Sequence, residues 1–364
     1  MIFRRLQHLS AWLFSALRRW LRAVGAWVQV RPRLAAWIFP ARDGEDLAYR
    51  EHNEQLYARF HEQERMLADQ PRMAFYQTAI ARQIGPGDRV IDLGTGTGIL
   101  AAMASRAGAG HVYAIDHSPI LRHARALAAA NGIANVEFVA THSSAFQTEQ
   151  RVDVILHEQM GDSLFDEGML KNIVDLRDRL LRPGGRILPS RFELFFEPMQ
   201  LNGRRQVPFI WELNVHGYDY ATLAGERPAD PSYYHLVSTD RELVDHFLGE
   251  PSPLLTVDLE TVDLTQLPHS IVFSRRVQYA GRLDAFVVFF RTHVNDLMLT
   301  TDPTDPNRAP HWGYGILRTD FQQAEVNDVI EVRLNVGQWE NPDTWHWSHR
   351  VLRTGATHDH APMA

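Results

Sequence analysis

The sequence contains no cysteine. That excludes disulfides and cysteine-held zinc, and it suits a reducing compartment without requiring one. It lacks an apolar run long enough to cross a membrane near its start, because Arg18, Arg19 and Arg22 interrupt that stretch. It lacks a clean signal peptide too, since no small-residue cleavage site stands out. A net positive charge is missing: the formal balance is −7, which gives no global pull toward nucleic acid. No internal repeat and no low-complexity tract occur.

What is present is ordinary for a globular enzyme, with 45% hydrophobic and 22% charged residues over 364 positions. That length suggests two domains. The charge is uneven. Residues 1–42 hold eight arginines and no acid, which leaves the remainder at −15. Within 1–30, Ile2, Leu6, Leu9, Leu13, Leu17, Trp20, Val24 and Trp27 share one helical side, and Arg4, Arg18 and Arg22 the other. A basic amphipathic helix of this kind fits in-plane contact with an anionic membrane surface, and equally packing on its own protein or a dimer mate.

Further on, Arg89-Val90-Ile91-Asp92-Leu93-Gly94-Thr95-Gly96-Thr97-Gly98 reads as a strand, an acid and a glycine turn opening a helix. Small residues there let a ligand approach the backbone at the positive end of the helix. The sixth position of the dinucleotide pattern G-x-G-x-x-G is Ile99, so that fingerprint is not met. Asp92-Leu93-Gly94-x-Gly96-x-Gly98 resembles instead the loop of S-adenosylmethionine methyltransferases. His111–Ile115 is a second strand, and Asp116 closes it in position to accept ribose hydroxyls.

The coarse pattern divides the chain. The basic segment 1–42 is followed by an alternating strand–helix region over 43–190, which predicts a doubly wound parallel sheet with ligands at the strands' carboxyl ends. Over 191–355, short alternating strands separated by turn residues predict an antiparallel, barrel-like β domain. An aromatic excursion at about 209–234 leaves it, and 356–364 reads as a loose tail.

The fourth parallel strand delivers Glu158, and the following loop returns Glu167 nine residues later. Two carboxylates converging there need a cation between them, or one takes up a proton; a planar guanidinium matches such a pair bidentately, and two solvated loop acids are the alternative. From about Tyr57 to Leu352 the chain resembles the protein arginine methyltransferase family. The residues that carry the match are the glycine turn, Val112–Asp116, Glu158-x-Met160-Gly161-x-x-Leu164-x-x-Glu167, Arg177-Asp178, Leu181-x-Pro183-x-Gly185, Met66-Leu67-x-Asp69-x-x-Arg72, His311-Trp312, and Trp211-Glu212 with Asn214–Asp219.

The resemblance implies roles. Glu158 and Glu167 clamp a substrate guanidinium, and His311 paired with Asp69 offers a second route for the released proton. Arg72 grips the methionine carboxylate of S-adenosylmethionine, and Asp116 holds its ribose. Asp92, Gly94, Thr95, Gly96 and Gln63 complete the expected cofactor set, and no metal is expected. The 209–234 arm implies a homodimer. Departures from the family pattern are Asn53 and Glu54 for an aromatic pair, Gln63 for a histidine, Gln159 and Asp162 for aromatics, and Pro310 for a threonine.

The resulting expectation is a methyltransferase acting on arginine in a protein or peptide, cytoplasmic or peripheral to a membrane. A small-molecule amine or guanidine methyltransferase, and an inactive membrane-recruited scaffold, remain alternatives.

Overall fold

The structure, a computed structural model, describes residues 59–354. The basic segment 1–42, Asn53, Glu54, Tyr57 and the tail 356–364 lie outside the described residues. Two helices come first, α1 (Phe60–Ala68) and α2 (Gln70–Gln83), separated by Asp69 alone. Asp69 caps α2: its carboxylate accepts the Arg72 backbone N–H, and Pro71 in the first turn needs no partner for a missing donor.

A parallel sheet follows, built from β1 (Arg89–Leu93), β2 (His111–Asp116), β3 (Val136–Ala140), β4 (Val152–His157) and β5 (Leu181–Leu188). Its order is β3-β2-β1-β4-β5. Val90 to Leu93 are all buried, as expected of a central strand covered on both faces. The crossovers are α3 (Ile99–Ala107), α4 (Leu121–Ala130) and α5 (Met169–Leu180). In α5, Met169, Leu170, Ile173, Leu176 and Leu180 recur at helical spacing and are buried. Successive strands run outward from β1 in one direction, then restart beside it with β4. That reversal leaves a crevice at the carboxyl ends of β1 and β4.

From Arg191 the pairing turns antiparallel. A seven-stranded sheet contains β6 (Arg191–Leu201), β9 (His235–Ser238), β10 (Val244–Phe247), β11 (Pro253–Asp258), β13 (Gly281–Val294), β14 (Leu297–Thr300) and β15 (Tyr314–Ala324). A separate three-stranded sheet joins β12 (Ser270–Arg276), β16 (Val329–Gln338) and β17 (Asn341–Leu352). The two walls face a shared interior: Phe196 of β6 meets Phe273 of β12 edge-on at 5.8 Å. The strands β13 and β15 are long, 14 and 11 residues, where short strands were expected. Strands β9, β10 and β14, four residues each, fall below the length at which alternation is legible.

The 209–234 excursion contains three 3₁₀ turns (Ile210–Glu212, Ala221–Glu226, Pro231–Tyr234) and the small hairpin β7 (Asn214–Val215) with β8 (Tyr218–Asp219). Its apolar character has a use. Phe209 stacks on Trp211 at 4.6 Å, and the Arg318 guanidinium lies 4.3 Å from the Phe209 ring. One hydrophobic cluster runs through both halves of the described chain, from Val90 and Ile155 through Phe165 to Phe290 and Trp345.

Candidate active site

The turn after β1 is braced by its own neighbours. The Thr95 hydroxyl donates to Asp92 Oδ2 at 2.5 Å, and the Ala101 N–H donates to the same oxygen at 2.9 Å. The N–H groups of Gly94 and Thr95 donate to the Ile115 carbonyl at the end of β2. Asp92 is fully buried. Burial pushes its carboxyl up to about 6, against the Thr95 and Ala101 hydrogen bonds, and the charges of Asp116 and Glu158 push the same way. Asp92 and Thr95 therefore shape the turn from inside. Their side chains, both expected in the cofactor set, turn toward the loop itself. The surface of the turn is glycine backbone: Gly94 has φ +71°, and nothing lies within 4 Å of where its Cβ would be.

Asp116 stands at the end of β2, half-buried. Its two oxygens accept the Gly96 N–H at 3.0 Å and the Ser118 N–H at 2.8 Å. Gln63 is buried in α1 with its amide against the turn, so that a Cβ on Gly96 would sit 3.1 Å from Gln63 Oε1. The structure thus brings Gln63, Asp92, Gly94, Thr95, Gly96 and Asp116 to one crevice.

Beside it lies an ion pair. Arg72 Nη2 is 2.8 Å from Glu158 Oε2, with side-chain exposures of 5% and 12%. Arg72 Nη1 donates to the Met66 carbonyl at 2.7 Å, and its Nε has no hydrogen-bond partner among the described residues. The Trp312 ring covers the guanidinium at 5.8 Å. Burial raises the Glu158 carboxyl and Arg72 pulls it back down. Breaking such a buried pair by removing one partner costs about 3–5 kcal/mol. Tyr76, four residues after Arg72 on the same helical face, fixes the strand that carries Glu158 by donating to the His157 carbonyl at 2.9 Å. That tyrosine was missed in the sequence, and its i+4 spacing from Arg72 is the signal that could have found it.

The loop from Glu158 to Gly168 folds on itself. Gly161 and Leu164 exchange backbone hydrogen bonds, and Leu164 takes φ +74°. The rest of its support comes from far away in the chain. Trp312 Nε1 donates to the Met160 carbonyl at 2.5 Å, and the Gly313 N–H to Asp162 Oδ1 at 2.6 Å. Arg308, buried, donates to the Trp312 and Thr239 carbonyls and holds the segment that carries these donors. Nothing in the sequence near Arg308 marked it. Glu167 returns at the loop's far end, half-buried, just before Gly168 caps α5.

Two expectations are corrected here. Asp69 meets His311 through the backbone: Asp69 Oδ2 accepts the His311 N–H at 3.0 Å, while its other oxygen caps α2. Both oxygens are engaged inside the fold at 1% exposure, so Asp69 is a brace and not the ring's proton partner. The His311 ring Nδ1 is buried with no hydrogen-bond partner among the described residues. Burial pushes this imidazole down to about 3, and the neighbouring Arg72 and Arg65 charges add to the effect. With no carboxylate among the described residues to stabilise it as a cation, the ring stays neutral through the physiological range.

The methyltransferase domain family matches residues 90–185. A probable protein arginine N-methyltransferase 6.1 of Oryza sativa subsp. japonica is 34% identical over 337 residues, covering 86% of this chain and 82% of the relative. The chain belongs to the protein arginine N-methyltransferase family. Protein arginine N-methyltransferase 6 of Danio rerio is 30% identical over 71% of this chain and 76% of its own length. Protein arginine N-methyltransferase 8-B of Danio rerio is 28% identical, and the chain spans 64% of that relative. Among solved structures, the Trypanosoma brucei PRMT1 enzyme-prozyme complex with AdoHcy superposes with a TM-score of 0.69 at 24% identity, covering 82% of this chain and 99% of that one. Arabidopsis thaliana protein arginine methyltransferase 10 gives 0.67 at 23% identity over the same shares. Both likenesses show that the family's fold, a parallel sheet followed by an antiparallel barrel-like part, is the fold seen here.

Proposed function

We propose that this chain transfers a methyl group from S-adenosylmethionine to a guanidino nitrogen of arginine in a protein or peptide. The observation that carries the reading is the Arg72–Glu158 pair. A carboxylate at the carboxyl end of a central strand, beside the glycine turn, already holds one guanidinium at 2.8 Å. Its chemistry and burial suit a second, incoming one.

The residues present fit the cofactor. Gly94 leaves open space over the turn, and Arg72 Nε and Asp92 Oδ1 are buried polar atoms without hydrogen-bond partners among the described residues. Asp116 would take the ribose, Arg72 the methionine carboxylate, and Gln63 would border the turn. S-adenosylmethionine supplies a methyl group on a positive sulfur that leaves as a neutral thioether. The protein supplies position: an in-line displacement gains most from fixing the nucleophile relative to the methyl carbon. Glu158 and Glu167 would hold the guanidinium, and their negative charge favours electron density on the attacking nitrogen.

The decisive test is incubation with labelled S-adenosylmethionine and whole-cell extract, then identification of the modified residue. Methylarginine in protein supports the reading; label only in small amines or guanidines moves the activity to the small-molecule alternative. The 209–234 arm, with Tyr218 75% exposed and Val215 and Tyr220 also outward, is the proposed face for a second copy, to be checked by sedimentation equilibrium. Peripheral attachment in the cytoplasm through residues 1–30 rests on their basic amphipathic pattern. Among the described residues no helix is long and apolar enough to cross a membrane. Full-length protein that never co-sediments with anionic vesicles would remove this attachment.

A further inference from the structure

Consecutive residues of the antiparallel half, 311–313, each donate to a different part of the candidate site. The His311 N–H meets Asp69 Oδ2 at 3.0 Å, Trp312 Nε1 meets the Met160 carbonyl at 2.5 Å, and the Gly313 N–H meets Asp162 Oδ1 at 2.6 Å. The Trp312 ring also covers the Arg72 guanidinium at 5.8 Å, and Arg72 holds Glu158 at 2.8 Å. We propose that Arg308 is a positioning residue for methyl transfer. It sets the backbone of 311–313 and, through the Trp312 indole, the glutamate loop and the Arg72–Glu158 pair. The proposal deepens the methyl-transfer reading above and rests on it.

Arg308 touches this segment directly. Its Nη1 donates to the Trp312 carbonyl at 3.2 Å and its Nη2 to the Thr239 carbonyl at 2.8 Å. Thr239 follows the last residue of β9, so one side chain ties that strand's end to the Trp312 segment. The side chain reaches out from a fixed base. The Arg308 N–H donates to the Asp305 carbonyl at 3.2 Å, and the Ala309 N–H to the Thr300 carbonyl at 3.0 Å. Its guanidinium lies 5.6 Å from the Tyr314 ring. The segment has little room to shift once gripped. A Cβ on Gly313 would fall 2.6 Å from Val237 Cγ1 and 3.3 Å from Asp162 Cγ, and the Trp312 ring packs edge-on against Phe290 at 5.6 Å.

The charge of Arg308 sets it apart from an ordinary core contact. It is 1% exposed, its Nε has no hydrogen-bond partner among the described residues, and no carboxylate among them lies within ion-pair distance of it. Burying a cation on carbonyls alone is costly, and an apolar side chain of similar volume would fill the space without that cost. A guanidinium offers what an apolar side chain does not: a planar fork that meets two carbonyls in one fixed geometry. Lysine carries the same charge as a point donor on a flexible stem. The segment that Arg308 grips bonds to the glutamate loop, whereas the glycine turn is braced by Asp92, Thr95 and Asp116. Loss of the grip therefore falls on turnover more than on cofactor binding.

The test uses the full chain and Arg308→Lys, which keeps the charge and loses the fork. Arg308→Met fills the same space without a charge and takes its place if the lysine variant does not fold. The first readout needs no ligand. The Trp312 indole N–H resonance, in isotope-labelled protein and assigned by its loss in Trp312→Phe, should lie downfield because of its bond to Met160. In the Arg308 variant it should move upfield; a resonance at the wild-type position overturns the proposal. The second readout is kinetic. The variant should lower kcat about tenfold, with the Kd for S-adenosylhomocysteine by calorimetry within about threefold of wild type. Unchanged kcat, or affinity lost in the same proportion as kcat, overturns the proposal. Tyr314→Phe controls for general loosening. It removes the bond from the Tyr314 hydroxyl to the Asp240 carbonyl and keeps the ring beside Arg308. Both readouts should stay at wild-type values; losses equal to those of the Arg308 variant overturn the assignment. A wild type that transfers no methyl removes the reading beneath, and the indole resonance then still reports whether Arg308 sets Trp312.

Discussion

Two loops stand side by side at the carboxyl ends of β1 and β4, and they are held in opposite ways. The glycine turn, 92–98, is braced locally: Asp92 reaches Thr95 and Ala101, and the turn's N–H groups reach the adjoining strand. The glutamate loop, 158–168, is braced from more than 140 residues away by Trp312 and Gly313. A local brace fixes a loop as soon as its strand and helix form. A remote brace ties the loop's shape to completion of the antiparallel half.

Changes at Glu158 should show the largest effect of that contrast. Glu158→Gln keeps the glycine turn and should leave S-adenosylmethionine binding within a few-fold by calorimetry. Turnover should fall by about 10³-fold or more, because the clamp loses its charge in a buried site. Unchanged turnover removes Glu158 from the chemistry. Next comes the loop's interior. Gly161→Ala forces a methyl group into the buried Asp166 carboxyl and should cost about 1–3 kcal/mol in denaturant unfolding. Retained stability would mean the loop has slack that its hydrogen bonds conceal.

A smaller pair of changes separates backbone from side chain. Asp69→Ala loses both the α2 cap and the tie to the His311 N–H, for about 2 kcal/mol. His311→Ala keeps that N–H and should cost well under half as much. Equal losses would show that the ring, not the main chain, carries the contact.

Least dramatic is a pH effect confined to the glycine turn. Folded Asp92 keeps its proton up to about pH 6, whereas an unfolded aspartate releases it near about 3.9. The folded chain binds the extra proton between those values, so this group's contribution to stability declines as pH rises through them. Asp92→Asn cannot ionise. It should match the wild type below about pH 4 and exceed it by about 3 kcal/mol well above pH 6. A constant difference across that range would refute the assignment.

The same contrast explains what could be read from the sequence. The glycine turn, Asp116 and the alternating strands and helices up to Leu188 follow from short spacings, and the supports of the turn lie within it or on the adjoining strand β2. Glu158 and Glu167 are expected as a pair from the family resemblance alone. That Arg72 would close on Glu158 was not, because the pairing depends on the angle at which α2 meets β4. The His311–Asp69 contact was placed correctly in space but given to the wrong atoms. Spacing brings residues together without saying whether backbone or ring does the bonding. Arg308 also reaches the Thr239 carbonyl, 69 residues away, and no short window of sequence holds both ends of that contact.

The uninterrupted apolar interior has a mechanical consequence. A clam-shell motion needs a seam along which two bodies part, and the described chain offers none: Leu164, Phe165, Trp312 and Trp339 sit in one cluster shared by both sheets. Parting there would wet several large side chains at about 1.5–3 kcal/mol each. Entry and exit at the crevice are then left to its periphery. There α1 rests on Arg72 through the Met66 carbonyl and on the 311 segment through an Arg65 contact at 3.5 Å. α1 lies outside the shared cluster and is tied to that block by these contacts.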